Sequence, residues 1–405
     1  MDAVLSSLTD RIRAAAADRT PLAIRAGGSK AFYGNAMDAT AVLDPRPYRG
    51  IVDYAPTELV ITVRSGTPLA ELEAALDARG QMLPFEPPYF GGEYKTKPPY
   101  SGGEYKAKPP YFGGEFQPQA PGETAAAEPT IGGAVAAGLA GPRRASFGPT
   151  YGGVRDFVLG ASLLDGRGQV LRFGGTVMKN VAGYDVARLL PGSLGVLGVL
   201  LDLSIKVLPK PVAEATLRFS MSHEEALHRM NEWAGQPLPV SATMWASELL
   251  YVRLSGARAA VDAASARLTA AHGGESIDAE GAAALWRGVR DHRHLFFAPD
   301  DLAQRPLWRL SLPSTAEPLQ LAGTQLIEWG GALRWLRSEA APHTIRAQAA
   351  ALGGHATLFR GGSSDLRSAG VFTPLPAPLA AIHKRLKAEF DPAGIFNRGR
   401  MYPEF

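Results

Sequence analysis

The stretch GSLGVLGV at residues 192–199 follows KNVAGYD (Lys179–Asp185) and leads into the apolar segment LLDLSIKVL (Leu200–Leu208). Its three glycines leave a backbone that a flat or charged ligand can approach closely, because no Cβ stands in the way. The stretch lacks the GxGxxG spacing of a dinucleotide fingerprint and does not open a strand–helix unit. It predicts a glycine-walled loop between two apolar segments, which we call segment C.

Two further glycine-rich stretches lie upstream. Segment A is RAGGSK (Arg25–Lys30), and segment B is PTIGGAVAAGLAGPRR (Pro129–Arg144), followed by SFGPTYGGVRDFVLG (Ser146–Gly160). Successive backbone N–H groups in Gly/Ser loops form concave anion sites. A single glycine loop is most simply a turn. Three of them in one region favour a bound cofactor, held by distant parts of the chain, and a dinucleotide pyrophosphate is an anion of suitable size.

The composition of the chain limits the classes of protein to which it can belong. The chain has 405 residues, a formal charge of +3 and no cysteine. It therefore carries no disulfide, thiolate metal site, iron–sulfur cluster or cysteine nucleophile of its own. No basic run argues for nucleic acid. The N-terminus has no signal-peptide core, and the longest apolar run, Leu194–Leu201, is far shorter than the roughly 20 residues of a membrane span. We expect a cytoplasmic protein, at most peripheral at the inner face of the cytoplasmic membrane.

The order of elements indicates an α+β chain. Residues 1–211 alternate strands with helices, residues 212–375 indicate a second, smaller α+β domain, and residues 376–405 return to a helix and tail. Residues 87–116 form an insertion of 11-residue Pro/Gly repeats, either an exposed loop or a docking strap for a partner. The strands predicted are Leu22–Arg25, Gly50–Val52, Leu59–Val63, Phe157–Leu164, Val170–Phe173, Ala215–Phe219, Leu249–Leu254 and Leu307–Leu312. The helices predicted are an N-terminal one with Leu5, Leu8, Ile12 and Ala15 on one face, one capped by Thr67, and His223–Trp233, Arg258–His272 and Pro378–Phe390.

These blocks carry a resemblance to a known family. The order of segments A, B and C resembles the FAD-binding domain of the vanillyl-alcohol-oxidase/PCMH type. The tail FDPAGIFNRGRMYP (Phe390–Pro403) resembles the C-terminal signature of the enzymes of that type that oxidise 2-hydroxy acids. Longer blocks, including EWGGALRWLRS (Glu328–Ser338), are similar to the FAD-binding E subunit of bacterial glycolate oxidase. The resemblance implies a two-subdomain FAD-binding domain followed by a smaller α+β cap domain.

The resemblance also implies the cofactor and its contacts. FAD is expected to be non-covalent, because segment A contains neither His nor Cys. Glycines at the cradle are expected to avoid a clash with the ligand or a forbidden φ. The residues implied to bind FAD are Arg25, Ala26, Gly27, Gly28, Ser29, Lys30, Thr130, Ile131, Gly132, Gly133, Gly152, Asp156, Gly192, Ser193, Gly195, Gly198, Val199 and, approaching the flavin from the tail, Asn397.

The function implied is that of the FAD-binding subunit of a multisubunit glycolate oxidase, which transfers electrons or completes the assembly. Its implied partners are a catalytic D-type flavin subunit and a cysteine-rich F-type iron–sulfur subunit, and glycolate is the substrate of the complex. Two alternatives stay open: a self-sufficient flavin-dependent 2-hydroxy-acid dehydrogenase, and a flavin-free scaffold.

A catalytic site on this chain would need a base and a cation for the carboxylate. Relatives that oxidise hydroxy acids carry an HxGDGNxH-like signature, whereas this chain has GGHATLFRGG (Gly353–Gly362). His355 is the candidate base, and Arg360 or Arg334 is the candidate residue that binds the carboxylate. Each of the three has an equally simple structural role, which for Arg334 is packing on Trp329 or Trp335. Arg143 and Arg144 contact either phosphates or solvent. The RDHRH run at residues 290–294 is most simply a solvated helix end, and we expect no metal site.

Overall fold

The computed structural model describes residues 2–37, 39, 41–90, 128–143, 152–176, 184–298 and 301–405. The strands in this part of the chain are β1 Leu22–Ile24, β2 Ala41–Leu43, β3 Ile51–Ala55, β4 Val60–Arg64, β5 Gln81–Met82, β6 Val158–Leu164, β7 Val170–Gly174, β8 Val199–Lys206, β9 Leu208–Pro209, β10 Ala213–Ser220, β11 Val240–Ala246, β12 Leu249–Gly256, β13 Glu275–Ile277, β14 Leu307–Ser311, β15 Thr324–Glu328, β16 Leu333–Arg337 and β17 His355–Arg360. The α-helices are α1 Ala3–Asp18, α2 Leu69–Asp77, α3 Ile131–Ala137, α4 Val154–Phe157, α5 His223–Ala234, α6 Arg258–His272, α7 Ala279–Arg290, α8 Pro342–Ala351, α9 Ser364–Ser368 and α10 Ala377–Phe390.

The first half of the chain is built on a five-stranded antiparallel sheet, ordered β3-β4-β8-β6-β7. The predicted hairpin is confirmed as β6 and β7, and Asp165 Oδ1 accepts hydrogen bonds from the backbone N–H groups of Arg167 and Gln169 in its turn. Helix α1 begins where the Asp2 side chain accepts a hydrogen bond from Val4 N–H, and it buries Leu8, Ile12 and Ala15 as their spacing predicted. The parallel pair β1–β2 continues onto the C-terminal tail, because Leu22 bridges Phe396.

The second half is built on an eight-stranded sheet of antiparallel pairs, ordered β13-β10-β12-β11-β15-β16-β14-β17. The bounds of α6 are those predicted, and β10, β12 and β14 confirm the strands predicted there within two residues at either end. The helix α6 packs on β10 and β12 and the helix α8 on β17, while the opposite face meets the first half of the chain. Every strand of this sheet comes from residues 213–360; the proposed domain limits at 211 and 375 stay a prediction.

One predicted cap is wrong. Helix α2 begins after Pro68, and the Thr67 side chain does not cap it. Instead, Thr67 Oγ1 accepts a hydrogen bond from Gly50 N–H at 2.8 Å and donates to the Arg64 carbonyl at 2.7 Å. The hydroxyl therefore fastens the turn after β4 to the strand before it. A Thr hydroxyl often hydrogen-bonds to nearby backbone groups of a turn instead of capping a helix.

Some sequence features lie outside the described residues. They include positions 91–116 of the repeats, Arg144, and the KNVAG part of the stretch before segment C. Among the helices that the structure describes, none has the length and apolar character needed to cross a bilayer.

Candidate functional site

Segments B and C are joined through their backbones. The N–H groups of Gly192 and Leu194 donate to the carbonyls of Val135 and Ala136, at 3.1 and 2.8 Å. The Cβ that a residue other than glycine would place at position 138 falls 2.8 Å from the Gly192 backbone. Two stretches separated by more than fifty residues in sequence are therefore in direct contact, as a shared cradle requires.

Asn397 joins segment C to the strand that leads into segment A. Its Oδ1 accepts a hydrogen bond from Ile24 N–H at 2.7 Å, and its Nδ2 donates to the Leu194 carbonyl at 2.6 Å. Its own N–H donates to the Leu22 carbonyl. The sequence predicted that Asn397 approaches the flavin, but this buried amide is used within the protein. Its contribution to a cofactor site is to hold two of the three segments together.

Segment A has the character of an anion site. In the part of the chain that the structure describes, none of the backbone N–H groups of residues 26–30 donates a hydrogen bond. Gly28 has φ +71°, and among the described residues a Cβ there would meet only Arg25 Cδ, at 3.9 Å. A run of amides without partners beside open space suits the two phosphates of FAD. The residues present therefore fit the cofactor.

Cations gather at segment A from the distant C-terminal region. Arg400 donates hydrogen bonds to the carbonyls of Lys30, Ala31 and Asn35, and Arg367 donates to those of Phe32 and Gly34. Burial, reinforced by repulsion from Arg25 and Arg367, lowers the pKa of Arg400 to about 10. Burial lowers the pKa of Lys30 to about 8. Sequence reasoning missed Arg367 and Arg400, because only the fold brings them to residues 30–35.

Segment B differs from segment A because its amides are already used. The N–H groups of Ile131, Gly132 and Gly133 donate to Thr67 O, Ser65 O and Thr130 Oγ1, respectively. Thr130 thus serves as the N-cap of α3. The structure therefore favours segment A, and not Thr130–Gly133, as the source of N–H donors to a pyrophosphate.

At Gly195 and Gly198 the predicted backbone reason holds, since φ is +76° and +151°, whereas at Gly27 and Gly132 it is the protein itself that leaves no room for a Cβ. An added Cβ at Gly27, Gly132, Gly195 or Gly198 would meet the protein itself: Glu128 O at 1.5 Å, Ser65 Cβ at 2.6 Å, Asn397 Nδ2 at 2.7 Å and Leu164 O at 2.6 Å, respectively. These glycines let chain segments approach one another. By contrast, Gly192 has φ +86°, and no atom of the described part of the chain lies within 4 Å of its Cβ position. Gly28 and Gly192 are thus the positions where a ligand has room.

The remaining predicted contacts lie around the cradle in local roles. Asp156 Oδ2 accepts a hydrogen bond from Gly153 N–H at 2.7 Å and closes the first turn of α4, with Gly152 packed against it. Ser193 is buried, and Val199 begins β8.

The three catalytic candidates lie on the eight-stranded sheet but not on one face. Arg334 is fully buried, and its three guanidinium nitrogens donate to the carbonyls of Gly331, Glu317 and Ala316. Burial lowers the pKa of Arg334 to about 10. Its neighbours in the ladder, Leu310 and Ile327, belong to the cores that face away from the segments. Arg334 is therefore a structural residue, held by carbonyls rather than by the packing on Trp329 or Trp335 predicted from sequence.

His355 and Arg360 lie at the two ends of β17, on the side of the first half of the chain. Arg360 lies over the rings of Phe32 and Phe90, with its guanidinium carbon 4.3 and 5.5 Å from their centroids. His355 is opposite Ser311 on the next strand. Burial, followed by the charge of Arg309, lowers the pKa of the His355 imidazole. His355 is therefore neutral at pH 7, as a general base must be.

Arg309 and Glu328, which sequence reasoning missed, share this sheet face. In the antiparallel ladder Arg309 is opposite Trp335. Glu328 is opposite Leu333, Leu333 is opposite Ser311, and Ser311 is opposite His355, so Glu328 and His355 lie in one row across the sheet. Directly opposed residues lie on the same face of a sheet. Glu328 is 3% exposed and accepts a hydrogen bond from Trp335 Nε1 at 2.7 Å. Glu328 stands in the EWGGALRWLRS block, but only the pairing shows where it points.

A buried ion network ties the two halves together. Glu86 bonds with both Arg143 and Arg253, and Arg143 also bonds with Glu214 at 2.6 Å. Burial alone would raise the pKa of Glu86, but the charges of Arg253 and Arg143 outweigh it and lower that pKa to about 2. Both alternatives predicted for Arg143, a phosphate contact or solvent, are therefore wrong. Arg143 clamps the end of segment B to the eight-stranded sheet.

The RDHRH run is only partly a solvated helix end. His292 has φ +55°, is 4% exposed and stacks on Phe297 with ring centroids 3.9 Å apart. Asp291 accepts a hydrogen bond from Tyr89 N–H and pairs with Arg290. In the described ranges, no three His, Cys, Asp or Glu side chains are grouped as metal ligands. The run is a packing element between the halves.

The comparisons with known proteins agree with this geometry. A model of the FAD binding domain family matches residues 6–91, which include segment A. A solved structure of alkyldihydroxyacetonephosphate synthase superposes with a TM-score of 0.60 at 13% identity, covering 97% of this chain and 75% of that one. The fold is thus that of a vanillyl-alcohol-oxidase/PCMH-type flavoprotein, as predicted, and FAD is confirmed as the cofactor of this domain type.

The sequence relatives narrow the family. Glycolate oxidase subunit GlcE of Escherichia coli K12 is 45% identical over 398 residues, or 98% of this chain and 97% of that protein. Glycolate oxidase subunit GlcD of Bacillus subtilis 168 is 41% identical over 88 residues, 22% of this chain and 18% of that protein. This chain belongs to the family of glycolate oxidase subunit GlcE.

Proposed function

We propose that this chain is the FAD-binding subunit of a multisubunit glycolate oxidase, which converts glycolate to glyoxylate. The observation that carries the proposal is the meeting of segments A, B and C. Within the described residues the backbone amides of residues 26–30 donate no hydrogen bond, and Asn397 and the backbone of segment B hold segment C beside them. Such a site is suited to a dinucleotide, with room for it at Gly28 and Gly192.

The cofactor is proposed to be held without a covalent bond. Residues 26–30 would bind the two phosphates through N–H groups, and the positive charges of Arg25, Lys30, Arg367 and Arg400 favour an anion there. When bound, FAD supplies the acceptor for two electrons. The protein's part is to position it and exclude water.

The partners proposed are a D-type flavin subunit, which carries out the oxidation of glycolate, and an iron–sulfur subunit. The relatives named glycolate oxidase subunits GlcE and GlcD support the first partner. The second partner is the one that would carry an iron–sulfur cluster, because this chain has no cysteine to supply thiolate ligands. Electron transfer or assembly is then the role left to this chain. We propose a cytoplasmic location, with at most peripheral contact with the membrane.

An absorption spectrum of the purified chain, with acid release of the flavin, tests this function. We expect about one FAD per chain, little reduction of an artificial dye by glycolate, and turnover when the D-type subunit is added. Unaided dye reduction would favour the self-sufficient dehydrogenase with His355 as base. A colourless protein that releases no flavin would favour the scaffold and contradict the proposal.

A further inference from the structure

We propose that Arg309, with Tyr33 and the turn at Glu328 and Trp329, forms a binding position for a small carboxylate on this chain itself. This goes beyond a role in electron transfer or assembly. That the anion is a carboxylate rests on the proposed function. That an anion binds at this place rests on Arg309 alone.

Arg309 differs from the buried arginines of the molecule. Arg143 and Arg253 pair with Glu86, and Arg334 donates to three carbonyls. Within the described residues, the guanidinium of Arg309 makes neither a hydrogen bond nor an ion pair, and its guanidinium carbon lies 5.3 Å from the Trp329 ring centroid. The residue is partly exposed. A cation so placed still has its directional donors available for a ligand.

The surroundings leave this charge incompletely balanced. Glu328 is the carboxyl whose charge acts on Arg309. Burial raises the pKa of Glu328 to about 7, with the Trp335 hydrogen bond and Arg309 acting in the opposite direction. Near neutral pH a large share of the Glu328 side chains is therefore protonated and does not neutralise Arg309. A planar guanidinium then offers a fork that matches a carboxylate.

The position lies where the two halves of the molecule meet. Tyr33, three residues beyond segment A, is buried and feels the charge of Arg309. His355 feels it as well, from the other side along the same sheet face. In the turn beneath Arg309 the backbone of Trp329 is strained, since its φ is +55°, whereas Gly330 and Gly331 adopt φ of +64° and +102° without strain. Strain of this kind in a residue other than glycine is typical of ligand-binding turns.

Calorimetric titration of the full chain with oxalate tests the proposal, with inorganic phosphate as the second probe. We expect oxalate to bind, and R309M to bind it roughly 10- to 100-fold more weakly, because a charge-assisted hydrogen bond is lost. R309K should lose less, because it keeps the charge but not the fork. R267M is the matched control: Arg267 lies on α6, on the other face of the sheet, and should leave oxalate binding unchanged. If R309M does not fold, a weaker oxalate affinity in R309K than in the unaltered chain supports the same conclusion.

Three results would overturn the inference: no oxalate binding by the unaltered chain, equal affinity in R309M, or phosphate binding as tightly as oxalate. FAD content is measured in parallel. If R309M loses FAD while its oxalate affinity is unchanged, Arg309 belongs to the cofactor site and the inference fails. A chain without FAD that still binds oxalate through Arg309 would refute the proposed function and leave this inference standing.

Discussion

Replacing Glu86 by glutamine is expected to lower the free energy of unfolding by about 3 to 5 kcal/mol at pH 7. The substitution keeps the shape of the side chain but removes the charge that Arg143 and Arg253 share, and both arginines are at most 5% exposed. Arg253 then remains buried without the carboxylate that it pairs with, and Arg143 keeps its bond with Glu214 but loses the carboxylate of Glu86. Urea unfolding of the variant and of the unaltered chain measures the loss.

The same substitution has a defined pH dependence. The folded-state pKa of Glu86, about 2, lies below its ordinary value of 4.5. The ion network therefore contributes its full stability above about pH 4.5 and loses it as the pH falls towards 2. The difference between Glu86→Gln and the unaltered chain should shrink over that range. A difference that is constant from pH 7 to pH 3 or lower would contradict this assignment.

Glu275→Gln provides the control for Glu86. Glu275 pairs with Arg218 on the same large sheet, but its side chain is 63% exposed. Surface pairs of this kind contribute at most about 1 kcal/mol. A similar cost for both substitutions would mean that the network of Glu86 is not buried as described.

The second large effect is expected for Lys387→Met, which removes a buried cation from the C-terminal helix. Lys387 Nζ donates to Asp391 Oδ2 at 2.6 Å and to the carbonyls of Val196 and Phe396. The Asp391 carboxylate in turn accepts from the N–H groups of Ile395 and Phe396. Breaking a buried pair of this kind costs about 3 to 5 kcal/mol.

This substitution should also weaken FAD binding, because Val196 belongs to segment C and Phe396 precedes Asn397. The melting temperature and the FAD dissociation constant of the full chain are the measurements. Lys384→Met, at an exposed position of the same helix, is the control and should change neither. An unchanged FAD affinity in a destabilised Lys387→Met variant would separate the C-terminal tail from the cradle.

Much of the architecture could be predicted because it depends on residues that are close together in sequence. The apolar positions of α1, the turn between β6 and β7 and the limits of α6 follow from spacing and turn residues alone. Segment A could be identified as a glycine loop for the same reason. Its unused N–H groups agree with the anion site that the sequence predicted.

The rest could not be predicted because it depends on which distant groups meet. Nothing local shows that Asn397 bonds to Ile24 and Leu194, or that Gly132 is glycine because Ser65 lies against it. Arg334 could be proposed to bind a carboxylate only because the sequence does not show on which face of the sheet it lies. The pairing of β14, β15 and β16 turns it away and turns Arg309 towards the cradle.

The central claim is that segment A binds the phosphates of FAD beside Gly28, and a matched pair of glycine substitutions tests it. Gly28 and Gly273 have φ of +71° and +69°, and at either position a Cβ meets no atom of the described ranges closer than 3.9 Å. Gly28→Leu and Gly273→Leu should therefore each lose about 1 to 2 kcal/mol of stability from the left-handed backbone. The deciding measurement is the FAD dissociation constant of each purified variant. We expect it to rise more than roughly tenfold, over 1.4 kcal/mol, in Gly28→Leu alone; FAD bound as tightly by Gly28→Leu as by Gly273→Leu would contradict the account.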